Sequence, residues 1–287
     1  MKFLAIGDLH GAIPKIHFKN FQAVIAPGDF CSDAPRQYMF QALQYNLSHP
    51  TKKEKQWYDI VGKRKAKAMI EQSLADGRVI VERLNALNVP VYVVPGNWDW
   101  TPKDDSDWHY YRKHHWTALL EGLENIIDCH HRLVDAGTFD IIGHGIISGP
   151  EYPQHKKDQQ QLTAKQRKEK RREYDRQYRK LDRLFQQSQK PVLFISHNVP
   201  YGTPFDKINN PSSPRDGEHV GSVLARRMSL KYSPLLGIAG HMHEYFGKCR
   251  LGKTTWIDTG FGSDVNVAID AAPRKIRKIV FKGNTAV

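Results

Sequence analysis

Cysteine is scarce. Cys31, Cys129 and Cys249 lie far apart in 287 residues, and the count is odd. That excludes a disulfide framework and a cysteine-based zinc site, and a reducing, cytosolic setting is the simplest inference. Long apolar runs are missing too. None approaches the ~20 residues that cross a bilayer, so no membrane partner is expected. The opening MKFLAIGDLHG is too short in its apolar part for a secretory signal and has no small-residue cleavage site. It reads as a first strand. Acidic charge is in deficit: 30 Asp/Glu face 43 Lys/Arg, a formal net charge of +13. Such an excess favours a polyanionic partner and says little about fold. There is neither an internal repeat nor a Gly/Ser-rich linker, so one domain over 1–287 is the economical expectation.

The basic excess is uneven. Gln154–Lys190 holds 13 Lys/Arg against 5 Asp/Glu, and Thr51–Arg78 holds 8 against 4. Both stretches look like basic helical insertions, at about 51–78 and 154–190, in a more neutral body. Residues 160–187 contain no Pro or Gly and are dense in helix formers. Tyr174, Tyr178, Leu181 and Phe185 recur at helical spacing, which predicts a docked half. Upstream, Lys165, Arg167, Lys168, Lys170, Arg171 and Arg172 lie within eight residues with Glu169 the only acid among them. That half is predicted to project into solvent, either as a plain solvated face or as a contact for nucleic acid or nucleotide.

Short apolar strands alternate with polar loops and helices: Lys2–Ile6, Ala23–Ala26, a helix over Arg36–Leu47, then strands Val89–Val94, Phe139–Ile142, Val192–Ile195 and Leu235–Ala239. This is the pattern of an α/β fold. Toward the C-terminus, Thr254–Ile257, Val265–Ile269 and Ile276–Phe281 read as a β-meander. His109, His114, His115, His130 and His131 cluster with Trp108 and Trp116, which we read as a packed or solvated helical segment.

The loops after the strands share one kind of content. Asp8 and His10 follow the first strand, Asp29 the second, Asn97 and Asp99 the third, and His197, His241 and His243 later ones. In α/β sheets ligands sit at those strand ends. Carboxylate, imidazole and amide oxygen together suit manganese, iron, zinc or magnesium better than a soft metal. Two ions about 3.5–4 Å apart clamp a phosphoryl group and generate hydroxide near neutral pH. One carboxylate must bridge them, and Asp29 on its Gly-Asp turn suits that role.

The series Asp8-x-His10, Gly28-Asp29, Gly96-Asn97-x-Asp99, His197 and Gly240-His241-x-His243 resembles the calcineurin-like metallophosphoesterases, in the right order along the chain. The segment SHNVPYGTPFD resembles a prokaryotic branch of them. The resemblance implies a four-layer αββα sandwich and two divalent ions per chain, manganese first, with iron, zinc, magnesium or nickel as alternatives. One ion would take Asp8, His10, Asp29 and His243, and the other Asp29, Asn97, His197 and His241. It implies hydrolysis of a phosphate ester through a metal-bridging hydroxide, with Asp29, Asn97 and His197 at the catalytic centre.

Trp98 departs from the pattern. Many members of the family have a histidine there, which protonates the leaving group, and an indole cannot. Members with a substitution at that place often act on phosphodiesters, so a phosphodiesterase acting on a nucleotide or nucleic acid is expected. A phosphomonoesterase or phosphoprotein phosphatase, or a non-catalytic scaffold on the same fold, are the alternatives; all seven ligand residues stand, against a scaffold. His144 is a candidate replacement acid or a structural loop histidine. Asp99 either orients a ligand or closes a turn. Trp98 and Trp100 are core fillers or, for Trp98, an apolar wall beside the substrate.

Overall fold

The computed structural model describes residues 1–283 except 50, 104–105, 147–150, 153, 156–158, 161, 214 and 244. Part of the basic stretch 154–190 and the last four residues of the chain therefore lie outside the described residues.

Two six-stranded sheets carry the fold. In the first, β1 (Lys2–Ala5), β2 (Ala23–Ala26), β3 (Val91–Val93) and β4 (Ile126–Asp128) run parallel. β11 (Val265–Ala272) and β12 (Lys275–Gly283) add antiparallel at the β1 edge. The second runs β5 (Leu133–Ala136), β6 (Phe139–His144), β7 (Val192–Asn198), β8 (Leu236–Gly240), β10 (Thr254–Asp258), β9 (Gly247–Leu251), with β6, β7, β8 and β10 parallel. The helices are α1 (Arg36–Ser48), α2 (Trp57–Val61), α3 (Lys63–Asn85), α4 (His115–Leu120), α5 (Ala164–Gln187) and α6 (Val223–Tyr232), with a 3-10 turn at His109–Arg112.

Strand alternation builds the layers. Phe3, Ala5, Ile25 and Tyr92 point inward and meet Phe139, Ile141, Leu193, Ile195 and Ile238 of the second sheet. Their neighbours Leu4, Val24, Val91 and Val93 point outward onto Ile70, Ile80 and Leu84 of α3 and Trp116 and Leu119 of α4. On the other side, Ile142, Phe194 and Trp256 pack against Leu181 and Phe185 of α5 and Leu224 and Met228 of α6. With both faces covered, the central parallel strands are mostly apolar, and β6 and β7 turn polar at their C-terminal ends with His144, Ser196, His197 and Asn198. The result is the αββα sandwich expected.

Some expectations need correction. β10 is not part of a meander with β11: it sits in the second sheet between β8 and β9, while β11 and β12 form a hairpin in the first. The basic stretch 51–78 is helical as expected and packs on the body: Trp57 and Tyr58 of α2 and Ala66 and Ile70 of α3 are buried in the first core. Lys63, Arg64, Lys65 and Lys67 form part of the solvated face of α3, an amphipathic helix. His130 and His131 lie in the β4–β5 connection rather than in a helical segment. α5 behaves as its spacing predicts: Tyr174, Leu181 and Phe185 are buried, and 164–172 is exposed throughout.

Candidate metal centre

β1, β2, β3, β7 and β8 all end toward one place; the loops after β1, β2, β3 and β8 deliver six of the candidate ligands there, and the C-terminal end of β7 itself carries the seventh, His197. Two groups form. In one, ligand atoms of Asp8, His10, Asp29 and His243 all lie within 4.8 Å of one another; in the other, those of Asp29, His197 and His241 do. Asp29 belongs to both. Its Oδ2 is 3.7 Å from His10 Nε2 and 3.4 Å from His197 Nε2. Asn97 joins the second group, with its Oδ1 2.9 Å from His197 Nε2.

The backbone is bent to achieve this. Asp8 (φ 51°), His10 (φ 45°), Asp29 (φ 59°) and His241 (φ 73°) are all left-handed. Each such residue costs about 1–2 kcal/mol, and such strain concentrates at functional sites. The glycines of the motifs are explained by close approach. A Cβ on Gly96 would collide with the Asp29 carboxylate, and one on Gly240 with that of Asp8. Each glycine admits the carboxylate of another loop.

The donor set fits a pair of divalent cations. Asp8 Oδ1 and Asp29 Oδ2 are buried and have no hydrogen-bond partner among the described residues. Asp8 Oδ2 accepts the His241 N–H at 2.7 Å and Asp29 Oδ1 the Trp98 N–H at 2.8 Å, so each carboxylate is pinned by one oxygen while the other is left bare. His197 Nδ1 donates to Pro27 O at 2.8 Å, which turns its Nε2 into the cluster. His10 Nε2 and His243 Nε2 lie 2.9 Å apart. Bare buried carboxylate oxygens beside convergent imidazole nitrogens are what a hard-to-borderline cation requires.

Electrostatics agree. Burial, and then the like charge of neighbouring histidines, holds His241 and His243 down at about 3, so both are neutral with a lone pair to give. Burial likewise lowers His10. Burial raises Asp8 well above the carboxylate range. For Asp29, burial is the largest single influence and pushes upward, but the His197 charge and hydrogen bond, the His10 charge and the Trp98 N–H together outweigh it and hold the carboxyl below its usual range. His197 goes the other way: burial lowers it, Asp29 and then Asp8 raise it, and it ends at about 9. Binding of a divalent cation by Asp29, His197 and His241 would require His197 to give up that proton.

A family comparison decides the identity. The profile for calcineurin-like phosphoesterases matches residues 1–245. The chain belongs to the calcineurin-like phosphoesterase family. Members hold a dinuclear metal centre and hydrolyse phosphoric esters. One crystal structure is 16% identical to this phosphoesterase, is covered over 99% of both chains and has a TM-score of 0.63. TT1561 of Thermus thermophilus is 15% identical over 98% of both chains, with a TM-score of 0.49. A dimetal phosphatase from Danio rerio is 13% identical over 99% of both, at 0.43. At these identities the likeness is one of fold. Among curated proteins no significant match is found.

The remaining sequence candidates separate cleanly. The Asp99 carboxylate is fully buried and binds backbone, so it holds the turns. Trp98 stands beside the phosphoesterase's centre, edge-on to His10 at 6.5 Å between ring centroids. Trp100 is core: its Nε1 donates to Ser73 Oγ at 2.8 Å and its ring packs in the first core. His144 is not in the cluster. It pairs in register with Ser196, one residue before His197, so its side chain leaves the opposite face of the sheet. There Nδ1 meets His131 Nε2 at 3.1 Å, and Nε2 lies 4.0 Å from Glu151 Oε1. Lys165, Arg167, Lys168, Lys170, Arg171 and Arg172 are exposed on α5, outside the metal-ligand groups.

Two residues escaped the sequence reading. Phe261 stacks on His10 at 5.8 Å, and Arg36 sits 6.0 Å over the Trp98 ring while its charge reaches His10 and His243. Neither belongs to a ligand motif. The one available signal for Arg36 was its place seven residues after Asp29.

Proposed function

We propose that this phosphoesterase is a phosphodiesterase acting on nucleotide or nucleic-acid esters. Asp8, His10, Asp29 and His243 would hold one divalent ion, and Asp29, Asn97, His197 and His241 the other. Such ions supply Lewis acidity to a phosphoryl oxygen and lower the pKa of water. The mixed carboxylate, imidazole and amide set favours manganese.

The placement of Trp98 carries the diester reading. Directly after Asn97 the chain puts an indole against His10, where a proton donor would otherwise stand. Trp98 is nearly buried, at 8% exposure, so it presents an apolar wall rather than a wet one. An apolar wall penalises a dianionic monoester more than a monoanionic diester, whose second organic group can lie on the ring. Arg36, ion-paired to Asp33 but 45% exposed at its side chain, adds a guanidinium fork on the same side. The exposed cations of α5 support a nucleic-acid or nucleotide partner. The three unpaired cysteines support a reducing, cytoplasmic setting.

The test is a comparison of bis-aryl phosphodiester with aryl monoester hydrolysis by manganese-loaded protein. Faster diester cleavage supports the reading; a clear monoester preference at neutral pH overturns it.

A further inference from the structure

At one edge of the sandwich α5 passes the β4–β5 connection and leaves an open depression of about 470 Å³. Arg176, Arg179, Lys180 and Arg183 line it, together with His131. Among the described residues no carboxylate lines it, and neither does any of the seven metal-site residues. Its volume falls within the range of small-molecule sites, about 300–1,000 Å³. The convergence follows from helix geometry, because positions 176, 179, 180 and 183 share one face.

The charge of that face is left uncompensated. Asp175 turns to Arg171, at 3.8 Å, and Asp182 to Lys231, at 2.6 Å. Glu173 pairs with Arg176 at 2.5 Å. Arg179, Lys180 and Arg183 have no ion-pair partner among the described residues. Like charges at this spacing weaken a helix, so a counter-charge is needed.

His131 adds polar atoms without adding charge. It stands at a left-handed φ of 53°, its ring 3.9 Å from that of His130 and its Nε2 bonded to His144 Nδ1. Burial, followed by the charges of His130, His144 and Lys180, holds it far below the ordinary imidazole range.

We propose that this depression binds a compact anion carrying two or more phosphate groups, with Arg179 and Arg183 gripping phosphate oxygens through their guanidinium forks and Lys180 adding point charge. A terminal phosphate carries about −1.5 to −2 at pH 7, so two linked phosphates balance three free cations. A recess of this size takes a small ligand whole, whereas a polynucleotide would run past it along the exposed arm of α5. The site is independent of which ester the metal centre cleaves.

The test uses metal-loaded protein titrated calorimetrically with methylenediphosphonate, which cannot be hydrolysed between its phosphorus atoms. Wild-type protein is expected to show a salt-sensitive binding event that Arg179→Gln/Arg183→Gln weakens at least about tenfold. Both positions are solvent-accessible on α5, so the variant keeps its fold. It also keeps wild-type hydrolysis of a small diester, because the depression shares no residue with the centre. Identical titrations of the two proteins overturn the inference. So does a single wild-type event that is lost in Asp29→Asn and kept in the double variant. Failure of the diesterase reading would leave this outcome unchanged.

Discussion

Asp99 accepts the backbone N–H of Asp29 on its Oδ2 at 2.8 Å. The same oxygen takes the Gly96 N–H at 2.7 Å, and Oδ1 takes those of Phe30 and Cys31 at 2.8 and 3.0 Å. One buried carboxylate therefore ties the loop that carries Asp29 to the loop that carries Asn97. Asp99→Asn would aim an amide N–H₂ at backbone donors and leave buried groups unsatisfied, at a cost of about 1–3 kcal/mol. The expected outcome is a lowered melting temperature and reduced metal content, read by denaturation and elemental analysis. Full metal content with wild-type activity would show that the tie does not position the loops.

Asp29 belongs to both ligand groups, so its loss should reach both ions. Asp29→Asn is expected to bring metal content well below that of Asp8→Asn or His241→Ala, each of which touches one group. Chelation should lower the melting temperature of wild-type protein, because ligands that bind only the folded state stabilise it. It should lower that of Asp29→Asn much less. Equal responses to chelator would mean that Asp29 is not shared.

The neighbouring tryptophans should part company under mutation. Trp100→Ala removes a core ring and its bond to Ser73, which costs about 3–5 kcal/mol. Trp98→Ala should cost less in stability and change selectivity instead, narrowing the gap between diester and monoester rates. Trp98→His should raise turnover of esters with poor leaving groups by supplying a proton donor, on the order of 10²-fold if the geometry is productive. The measurement is kcat across leaving groups of graded pKa; an unchanged slope for Trp98→His would remove the indole from the argument.

How much of this could be read beforehand depended on whether the signal was local. Most of the candidate ligands were visible because they couple a strand end to a Gly-x or Asp-x-His pattern, with His197 the exception in Ser-His-Asn, and the fold brings these side chains together. Asp99 could be seen as a candidate but not resolved, since three of its four partners come from a loop about seventy residues away in sequence. Strand existence was local and strand partnership was not: nothing near Thr254–Asp258 says that it pairs with β8 rather than with β11. His144 stayed open between a replacement acid and a structural histidine because GHG at a strand end resembles the ligand loops. Only register against β7 reveals that its side chain leaves by the other face.

Docking of α5 includes a pH-sensitive tie. Burial would raise Asp182, but hydrogen bonds from Lys231 Nζ at 2.6 Å and Tyr232 Oη at 2.7 Å outweigh it and hold the carboxyl below its usual range. A depressed carboxyl contributes stability above its unfolded pKa and loses it as pH falls through the folded value. The C-terminal half of α5 should therefore loosen on acidification. Asp182→Asn should show that looser hydrogen exchange already at neutral pH and should lose the acid dependence. Identical exchange profiles would assign the docking to Leu181 and Phe185 alone.

The N-terminal half of α5 makes the last prediction. Of its six cations, Arg171 has a partner in Asp175, at 3.8 Å and both exposed, which is worth little. Lys165, Arg167, Lys168, Lys170 and Arg172 have no ion pair among the described residues. They surround the helix, so neighbouring turns repel, and a phosphate backbone would relieve that repulsion. Each phosphate neutralised should add about −0.7 to −0.9 to the slope of log K against log salt. Replacing Lys168, Arg171 and Arg172 with Gln should flatten the slope by about two to three of those increments. Cleavage of a small chromogenic diester should not change, because these residues lie outside the metal-ligand groups. Filter binding of single- and double-stranded DNA and RNA across a salt series reads the slope directly. If wild-type protein gives none, the exposed half of α5 is a solvated arm, and the +13 charge serves solubility or the depression at the other end of the same helix.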